Sequence, residues 1–138
     1  MKKTNNKIAA LKPVFTKVTP ALLEVMPYEY AGKNIDIVIE TDEFTCLCPW
    51  SGLPDFAYLT VSYVPDSVVV ELKSLKYYIQ SYRMVGMVHE SVVNRMLNDL
   101  VAASRPRSMT VELNFGVRGG ITTTVVARYG DDNYNCKM

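Results

Sequence analysis

The sequence predicts an α+β fold in which an antiparallel four-stranded sheet carries two helices on one face. Four segments alternate apolar and polar residues, as half-buried strands do. Two segments between the second and third of them repeat apolar residues at helical spacing instead. The resulting element order is β-β-α-α-β-β, and strands grouped apart from helices are typical of an α+β domain.

The first two strands are predicted on either side of a functional loop. Residues 35–41 carry isoleucine at positions 35, 37 and 39, and residues 57–64 also alternate apolar and polar side chains. The connection between them, residues 44–56, is rich in proline and glycine. Because rigid strands often present functional groups on the loop that joins them, we expect the chemistry of the protein here.

A helix is predicted from Leu72 to about Tyr82. Its apolar stripe follows the 3.6-residue period, and its opposite face carries Lys73, Lys76 and Arg83. Such a row of cations is either a solvated helix face or a binding site for an anionic, phosphorylated ligand, and the pattern leaves both interpretations open.

A second helix is predicted from about Val88 to Ser104. His89, the only histidine of the chain, lies on its apolar side near the N-terminus and is followed by Glu90. A lone histidine at such a position is more often a packing residue than a catalyst, and a glutamate in the first turn ordinarily complements the helix dipole.

The last two strands are predicted at residues 108–115 and 121–127, with a glycine-rich turn between them. The three parts of the chain are then an N-terminal arm (1–34), which we interpret as extended or as a surface tail, a catalytic domain (35–130) and a C-terminal tail (131–138).

Composition and charge exclude several functional classes. The chain has 138 residues, of which 49% are hydrophobic and 21% charged, as in a single globular domain. A net charge of +1 does not predict a nucleic-acid surface. The first apolar run is short and interrupted by Lys12 and Pro13, so neither a secretory signal nor a membrane span is expected. Three cysteines then indicate reduced thiols in the cytoplasm. A domain this small often completes its active site with a second subunit, so an oligomer is expected.

Cysteine chemistry is the reaction type that remains. A single histidine and no second cysteine pair exclude the usual zinc frameworks, so no metal is expected. Nucleotide-binding glycine fingerprints are absent from the sequence, and one histidine without an elbow motif does not make a serine triad. Cys48 can act as a nucleophile once its thiolate is stabilised, and the loop can fold Asp55 back over it as an acid.

Several short motifs follow one another in a specific order. Residues 47–56 read L-C-P-W-S-G-L-P-D-F and residues 71–78 read E-L-K-S-L-K-Y-Y. They are accompanied by Y-V-P-D at 63–66, S-Y-R at 81–83, His89-Glu90 and Arg118-Gly119-Gly120. Over about residues 35–130 the chain resembles the NADPH-dependent 7-cyano-7-deazaguanine reductases, the nitrile reductases of queuosine biosynthesis.

The resemblance implies a tunnelling fold (T-fold), whose β-β-α-α-β-β unit matches the order predicted above. Such units assemble into rings with ligand sites between subunits, and single-module members of the family resemble pairs of stacked pentamers. It also implies NADPH as the cofactor and 7-cyano-7-deazaguanine as the substrate.

The resemblance further implies a role for individual residues. Cys48 would attack the nitrile carbon to form a thioimide, Asp55 would supply the proton, and His89 would relay protons or position the substrate. Glu90 would accept hydrogen bonds from the guanidine-like edge of the deazaguanine. The remaining implied contacts are Glu71, Ser74 and again His89 for the substrate, and Lys73, Lys76, Arg118 and Gly119 for the phosphates of NADPH.

Two alternatives are weighed against this interpretation. An amidinotransferase-like relative would form the same thioimide without NADPH and resolve it with ammonia on tRNA, but the intact E-L-K-S-L-K segment and the near-neutral charge argue against it. A non-catalytic purine- or pterin-binding module on the same fold would retain Glu90 without needing Cys48 and Asp55 together.

Overall fold

Six strands and two α-helices make up the part of the chain that the computed structural model describes, residues 15–130. A short 3-10 helix, Pro20–Leu22, precedes the first strand. In chain order the elements are β1 Val25–Pro27, β2 Ile37–Leu47, β3 Pro54–Val64, β4 Val68–Val70, α1 Leu72–Gln80, α2 His89–Ser104, β5 Ser108–Arg118 and β6 Ile121–Gly130.

The main sheet has four antiparallel strands in the order β2-β3-β5-β6. Alternate residues of its central strands are buried beneath both helices, whereas their neighbours Phe56, Tyr58 and Glu112 are exposed on the other face. The predicted α+β class, with helices on one face of an antiparallel sheet, is therefore confirmed. Neither helix within residues 15–130 has the length and apolar character needed to cross a membrane.

Strand β2 is longer than the alternation predicts. The predicted strand ends at Thr41, but the pairing with β3 shifts register between Thr41 and Phe44 and then continues to Leu47. Extra residues in one strand of a pair form a β-bulge, which breaks the alternation of apolar and polar residues by which a strand is predicted from sequence. The predicted 13-residue functional loop is consequently shorter, since β2 and β3 leave only residues 48–53 between them.

Residues 15–34 pack on the domain. The side chain of Val18 is part of the core, and β1 pairs with β4, a strand that the alternation does not predict. The backbone N–H of Thr19 donates a hydrogen bond to Ser81 Oγ at 3.1 Å. The predicted domain boundaries stay predictions, and the beginning of the predicted arm and the predicted tail with Cys136 lie outside the described residues.

A hydrogen-bonded group of side chains joins the two helices. Tyr78 of α1 donates its hydroxyl to Asp99 Oδ2 of α2 at 2.6 Å, and the hydroxyls of Tyr78 and Tyr82 lie 2.8 Å apart. Arg95 Nε donates to the same Asp99 oxygen at 3.0 Å. Burial raises the pKa of both phenols, so both stay protonated as donors. This network holds the helix that begins at His89 against the rest of the domain.

Candidate active site

Cys48 and Asp55 lie at the same end of the β2–β3 hairpin. Cys48 follows the last residue of β2, and Asp55 is the second residue of β3, where it pairs with Cys46. The backbone N–H of Cys48 donates to the carbonyl of Leu53 at 2.8 Å, and Gly52 N–H donates to the carbonyl of Cys48 at 2.9 Å. The turn closes through the positive φ of Gly52 (71°), a conformation that glycine adopts without strain.

The Cys48 loop is docked on the segment that precedes His89. Leu47 N–H donates to the carbonyl of Val85 at 2.9 Å, and Met87 N–H donates to the carbonyl of Leu47 at 3.1 Å. A Cβ atom on Gly86 would come within 3.6 Å of Pro49, so the two segments are in close contact. This docking brings the start of α2, and with it His89, beside the hairpin end.

The Cys48 thiol is activated by its own loop. Hydrogen bonds from the Ser51 side chain and from the backbone N–H groups of Ser51 and Trp50 lower the pKa of Cys48 to about 7. Burial opposes this lowering of the pKa, and the Arg118 guanidinium makes a smaller contribution that lowers it further. The lowered pKa makes the reactive thiolate much more populated at neutral pH than in an ordinary cysteine.

Cys46 has the opposite character. Its side chain is fully buried, and burial, with the nearby Asp55 charge, raises the pKa of the Cys46 thiol to about 12. Since the thiolate is the reactive form, Cys46 is a packing residue at neutral pH, and Cys48 remains the candidate nucleophile.

We expect the substitution Ser51→Ala to raise the pKa of Cys48, because the Ser51 hydroxyl is the strongest of the groups that lower it. The rate of Cys48 alkylation by iodoacetamide, followed against pH by peptide mass spectrometry, should show a midpoint near pH 7 in the wild type. In the variant the midpoint should move upward, and the rate at pH 7 should fall severalfold.

The matched control is Ser67→Ala, which removes another exposed serine hydroxyl beyond the opposite end of β3. Its alkylation midpoint should equal that of the wild type. An unchanged midpoint in Ser51→Ala would show that the loop hydroxyl does not stabilise the thiolate.

Asp55 is a buried carboxylate held by two side chains. It is 3% exposed, and its Oδ2 lies 3.1 Å from His89 Nε2. Its other oxygen, Oδ1, accepts a short hydrogen bond from Arg118 Nη1. A buried carboxylate requires such partners, and when it is ionised the Nε2–H of His89 is the donor. Arg118 also reaches Cys48, so it connects the acid with the nucleophile.

His89 and Arg118 are placed by the β5–β6 hairpin as well as by α2. The His89 imidazole stacks on the phenyl ring of Phe115, with centroids 3.5 Å apart and planes 4° apart. The β5–β6 pairing shifts register between Phe115 and Arg118, and the turn that follows uses Gly119 and Gly120 at positive φ. A cavity of about 190 Å³ beside Asp55 is lined by Pro54, Phe56, Phe115, Gly116, Val117 and Arg118.

Glu71 and Ser74 occupy the N-terminus of α1. The Glu71 carboxylate accepts hydrogen bonds from the N–H groups of Lys73 (3.0 Å) and Ser74 (2.6 Å), and these bonds lower the pKa of Glu71. Ser74 Oγ donates to the carbonyl of Glu71 and accepts the N–H of Glu24 at 3.0 Å. Within this chain Glu71 therefore caps the helix and Ser74 joins its first turn to Glu24, and the role of both side chains in substrate binding stays a prediction.

The remaining predicted residues are exposed. Glu90 follows His89 in the first turn of α2, with its side chain in solvent. Lys73 and Lys76 lie on the exposed face of α1, and Lys76 lines a groove of about 640 Å³ between α1 and β2 together with Arg83. Arg118 instead contacts Asp55. Within one chain, the predicted phosphate ligands on α1 and at Arg118 therefore lie on different surfaces.

Sequence reasoning missed three contacts of the site. Ser51 was not predicted to bond Cys48, Phe115 was not predicted to stack on His89, and Arg118 was not predicted to bond Asp55. The hydroxyl three residues after Cys48 was the one signal available, since short polar side chains in a tight loop often bond the backbone or a neighbour. The other two contacts join residues far apart in the chain.

A loop thiol of lowered pKa beside a buried Asp–His–Arg set, on an α+β domain, is the arrangement expected of an enzyme active site. The chain belongs to the QueF-like family, because residues 54–134 match the family model described as "QueF-like protein". This confirms the resemblance drawn from the motifs at residues 47–56 and 71–78.

Relatives and a solved structure agree with this assignment. The chain is 52% identical to the NADPH-dependent 7-cyano-7-deazaguanine reductase of Caldicellulosiruptor bescii, over 83% of this chain and 88% of the relative. It is 48% identical to the enzyme of the same name from Caldanaerobacter subterraneus subsp. tengcongensis, over 87% and 90%. The crystal structure of the archaeosine synthase QueF-Like in the apo form has a TM-score of 0.64 at 24% identity, covering 73% of this chain and 97% of that one, which shows a shared fold.

Proposed function

We propose that this protein is an NADPH-dependent oxidoreductase that reduces the nitrile of 7-cyano-7-deazaguanine to an aminomethyl group in queuosine biosynthesis. The observation that carries the proposal is the extent of the likeness. Relatives named for this activity are about half identical to the chain over more than four fifths of both sequences. The loop thiolate with its buried acid supplies the chemistry that an unreactive nitrile requires.

The first chemical step joins Cys48 to the substrate. Cys48 Sγ forms a bond to the nitrile carbon while one C–N π bond opens onto the nitrogen. A proton from the Asp55–His89 pair neutralises that nitrogen, which gives a thioimide. The thioimide accepts hydride more readily than the free nitrile. Two NADPH molecules bound in succession would supply the two hydrides that the conversion to the amine requires. Between the two transfers the C–S bond breaks, and its electrons return to Cys48 as the thiolate.

Exposed cations on α1 fit the phosphates of the cofactor. Lys73 and Lys76 lie three residues apart on one helix face, and within residues 15–130 neither makes an ion pair. Arg118 can serve both Asp55 and a phosphate, because a guanidinium carries five N–H donors and this side chain is 51% exposed. Gly119 next to it presents backbone without a side chain.

The substrate contacts follow from the surroundings of Asp55. The cavity of about 190 Å³ has aromatic and backbone walls suited to a flat heteroaromatic ring. The exposed Glu90 carboxylate, adjacent to His89, would accept the N–H donors of the deazaguanine edge. Within one chain, Glu71 and Ser74 bond groups at the N-terminus of α1. Their predicted contact with the substrate belongs to the assembled protein.

We further propose a cytoplasmic homo-oligomer of stacked pentamers with its sites between subunits. The two edge strands of the main sheet, β2 and β6, are 11 and 10 residues long, and long open edges are normally paired or covered. Apolar side chains are exposed on or beside these edges, among them Val38, Ile121 and Tyr129. A reactive thiolate and a reduced cofactor both suit a reducing compartment.

The test is NADPH oxidation with 7-cyano-7-deazaguanine, with the product identified by mass. We expect the aminomethyl product and two NADPH consumed per nitrile. A covalent adduct without NADPH oxidation would favour the amidinotransferase-like alternative. If neither an adduct nor NADPH oxidation is observed, the likeness to the reductases shows only a shared fold and ancestry.

A further inference from the structure

Phe115 is one of the most firmly placed side chains near the site. Its backbone lies in β5, an inner strand of the main sheet, and pairs with Ala57 of β3 on one side and with Thr123 of β6 on the other. The side chain is 2% exposed. The register shift of β5 begins directly after it, so Phe115 is the last regularly paired residue before the bulge that presents Arg118.

The His89 ring, in contrast, has little else to hold its plane. His89 is the first residue of α2, whose N-cap residue Val88 provides no side-chain hydrogen bond. Among residues 15–130, one side-chain hydrogen bond reaches the ring, between Asp55 Oδ2 and Nε2. Such a bond restricts the direction of the ring edge but not rotation about that direction. The parallel stack on Phe115, at 3.5 Å and 4°, restricts this remaining rotation.

A second phenylalanine, Phe44, packs on the Phe115 ring and offers a comparison, because it is a core residue of the same cluster. The Phe44 ring meets it edge-on, with centroids 6.3 Å apart and planes at 86°, and Phe44 packs in turn on Tyr82 at 5.4 Å. Phe44 is fully buried and has no ring contact with His89 among the described residues. The two phenylalanines therefore share a cluster, but only Phe115 touches the imidazole.

We propose that Phe115 is a positioning residue for proton transfer, which holds the plane of the His89 imidazole so that Nε2 stays on Asp55. The inference deepens the proposed function and rests on it for its kinetic consequence. Without the phenyl ring, His89 samples planes in which the Asp55–His89 hydrogen bond is bent or lost, and the proton reaches the nitrile nitrogen less often.

The first test does not depend on turnover, because His89 is the only histidine of the chain. In the untagged protein, imidazole ¹H–¹⁵N NMR spectra should show one set of signals, shifted by the ring current of Phe115 and belonging to the Nε2–H tautomer. Phe115→Leu and the volume-conserving Phe115→Met should remove the ring-current shift and mix the tautomers. Phe44→Leu, the matched control, should retain both features, and Phe115→Tyr should restore them.

The second test is kinetic. We expect Phe115→Leu and Phe115→Met to lower kcat about tenfold to a hundredfold, because misplacing a general acid removes only part of its contribution of about 10²- to 10⁴-fold, while KM for the nitrile stays within about twofold. Phe44→Leu should keep kcat within about twofold at a comparable loss of thermal stability. The alkylation midpoint of Cys48 should not move in any variant, because its causes lie in the 48–53 loop and Arg118.

Two results would overturn the proposal: wild-type histidine signals in both Phe115 variants, or an equal loss of kcat in Phe44→Leu. Absence of nitrile reduction in the wild type would refute the proposed function instead, and the NMR comparison would still decide whether Phe115 sets the plane of His89.

Discussion

We expect Cys48→Ala to abolish the covalent adduct with 7-cyano-7-deazaguanine and to lower kcat by a factor on the order of 10⁴ or more, as loss of a nucleophile does in other enzymes. The physical reason is that the described site has no second thiolate at neutral pH. The pKa of Cys46 is raised to about 12, whereas that of Cys48 is lowered to about 7. Intact-protein mass spectrometry measures the adduct, and NADPH oxidation measures turnover.

Cys46→Ala is the matched control, since it removes a sulfur only two residues away. Its side chain is fully buried in the core, so the variant should lose some stability but form the adduct at the wild-type rate. Loss of the adduct in Cys46→Ala, or full activity in Cys48→Ala, would show that Cys48 is not the nucleophile.

The strands that the sequence predicts best are those covered on one face. Residues of β3 along its whole length, and of β5 from Met109 to Phe115, alternate between the core and more exposed positions, and the period of two is visible directly in the sequence. The bulge in β2 breaks that period, so the sequence predicts a loop where the second half of β2 lies. Strand β4 has three residues and pairs with β1, about 40 residues earlier, so no local pattern marks it.

The candidate site divides in the same way. Cys48 and Asp55 are predictable together because one hairpin carries both, and a hairpin places its two strand ends side by side. The contacts of Asp55 with His89 and Arg118 span 34 and 63 residues, and they exist only after the helices and the β5–β6 hairpin have packed. The family resemblance predicts a role for each of these residues, but their contacts with one another form only in the tertiary structure.

Glu71 illustrates a residue whose local chemistry and predicted function compete. A carboxylate at this position satisfies two N–H groups of the first turn of α1, which is sufficient reason for an acidic residue before a helix. The motif match alone therefore does not separate a capping role from substrate binding. The structure makes the capping role explicit, and substrate binding stays a prediction for the assembled enzyme.

The second large effect is expected for Asp55→Asn, which retains the shape of the side chain and removes its charge and its acidic proton. We expect kcat to fall by about 10² to 10⁴, the usual contribution of a positioned acid, while KM for the nitrile changes little. An amide presents one acceptor oxygen where the carboxylate presented two, so either His89 or Arg118 loses its partner. Steady-state kinetics with NADPH and the nitrile separate the two parameters.

Asp99→Asn is the matched control because it also changes a largely buried, hydrogen-bonded aspartate. Its partners are Tyr78 and Arg95 in the contact between the helices, away from Cys48. Both variants should lose stability, but only Asp55→Asn should lose turnover. The alkylation midpoint of Cys48 should stay near pH 7 in Asp55→Asn, because Ser51 and Trp50 dominate the lowering of that pKa. A wild-type kcat in Asp55→Asn would move the proton donor to His89 alone, whereas equal losses of kcat in both variants would attribute the effect to folding.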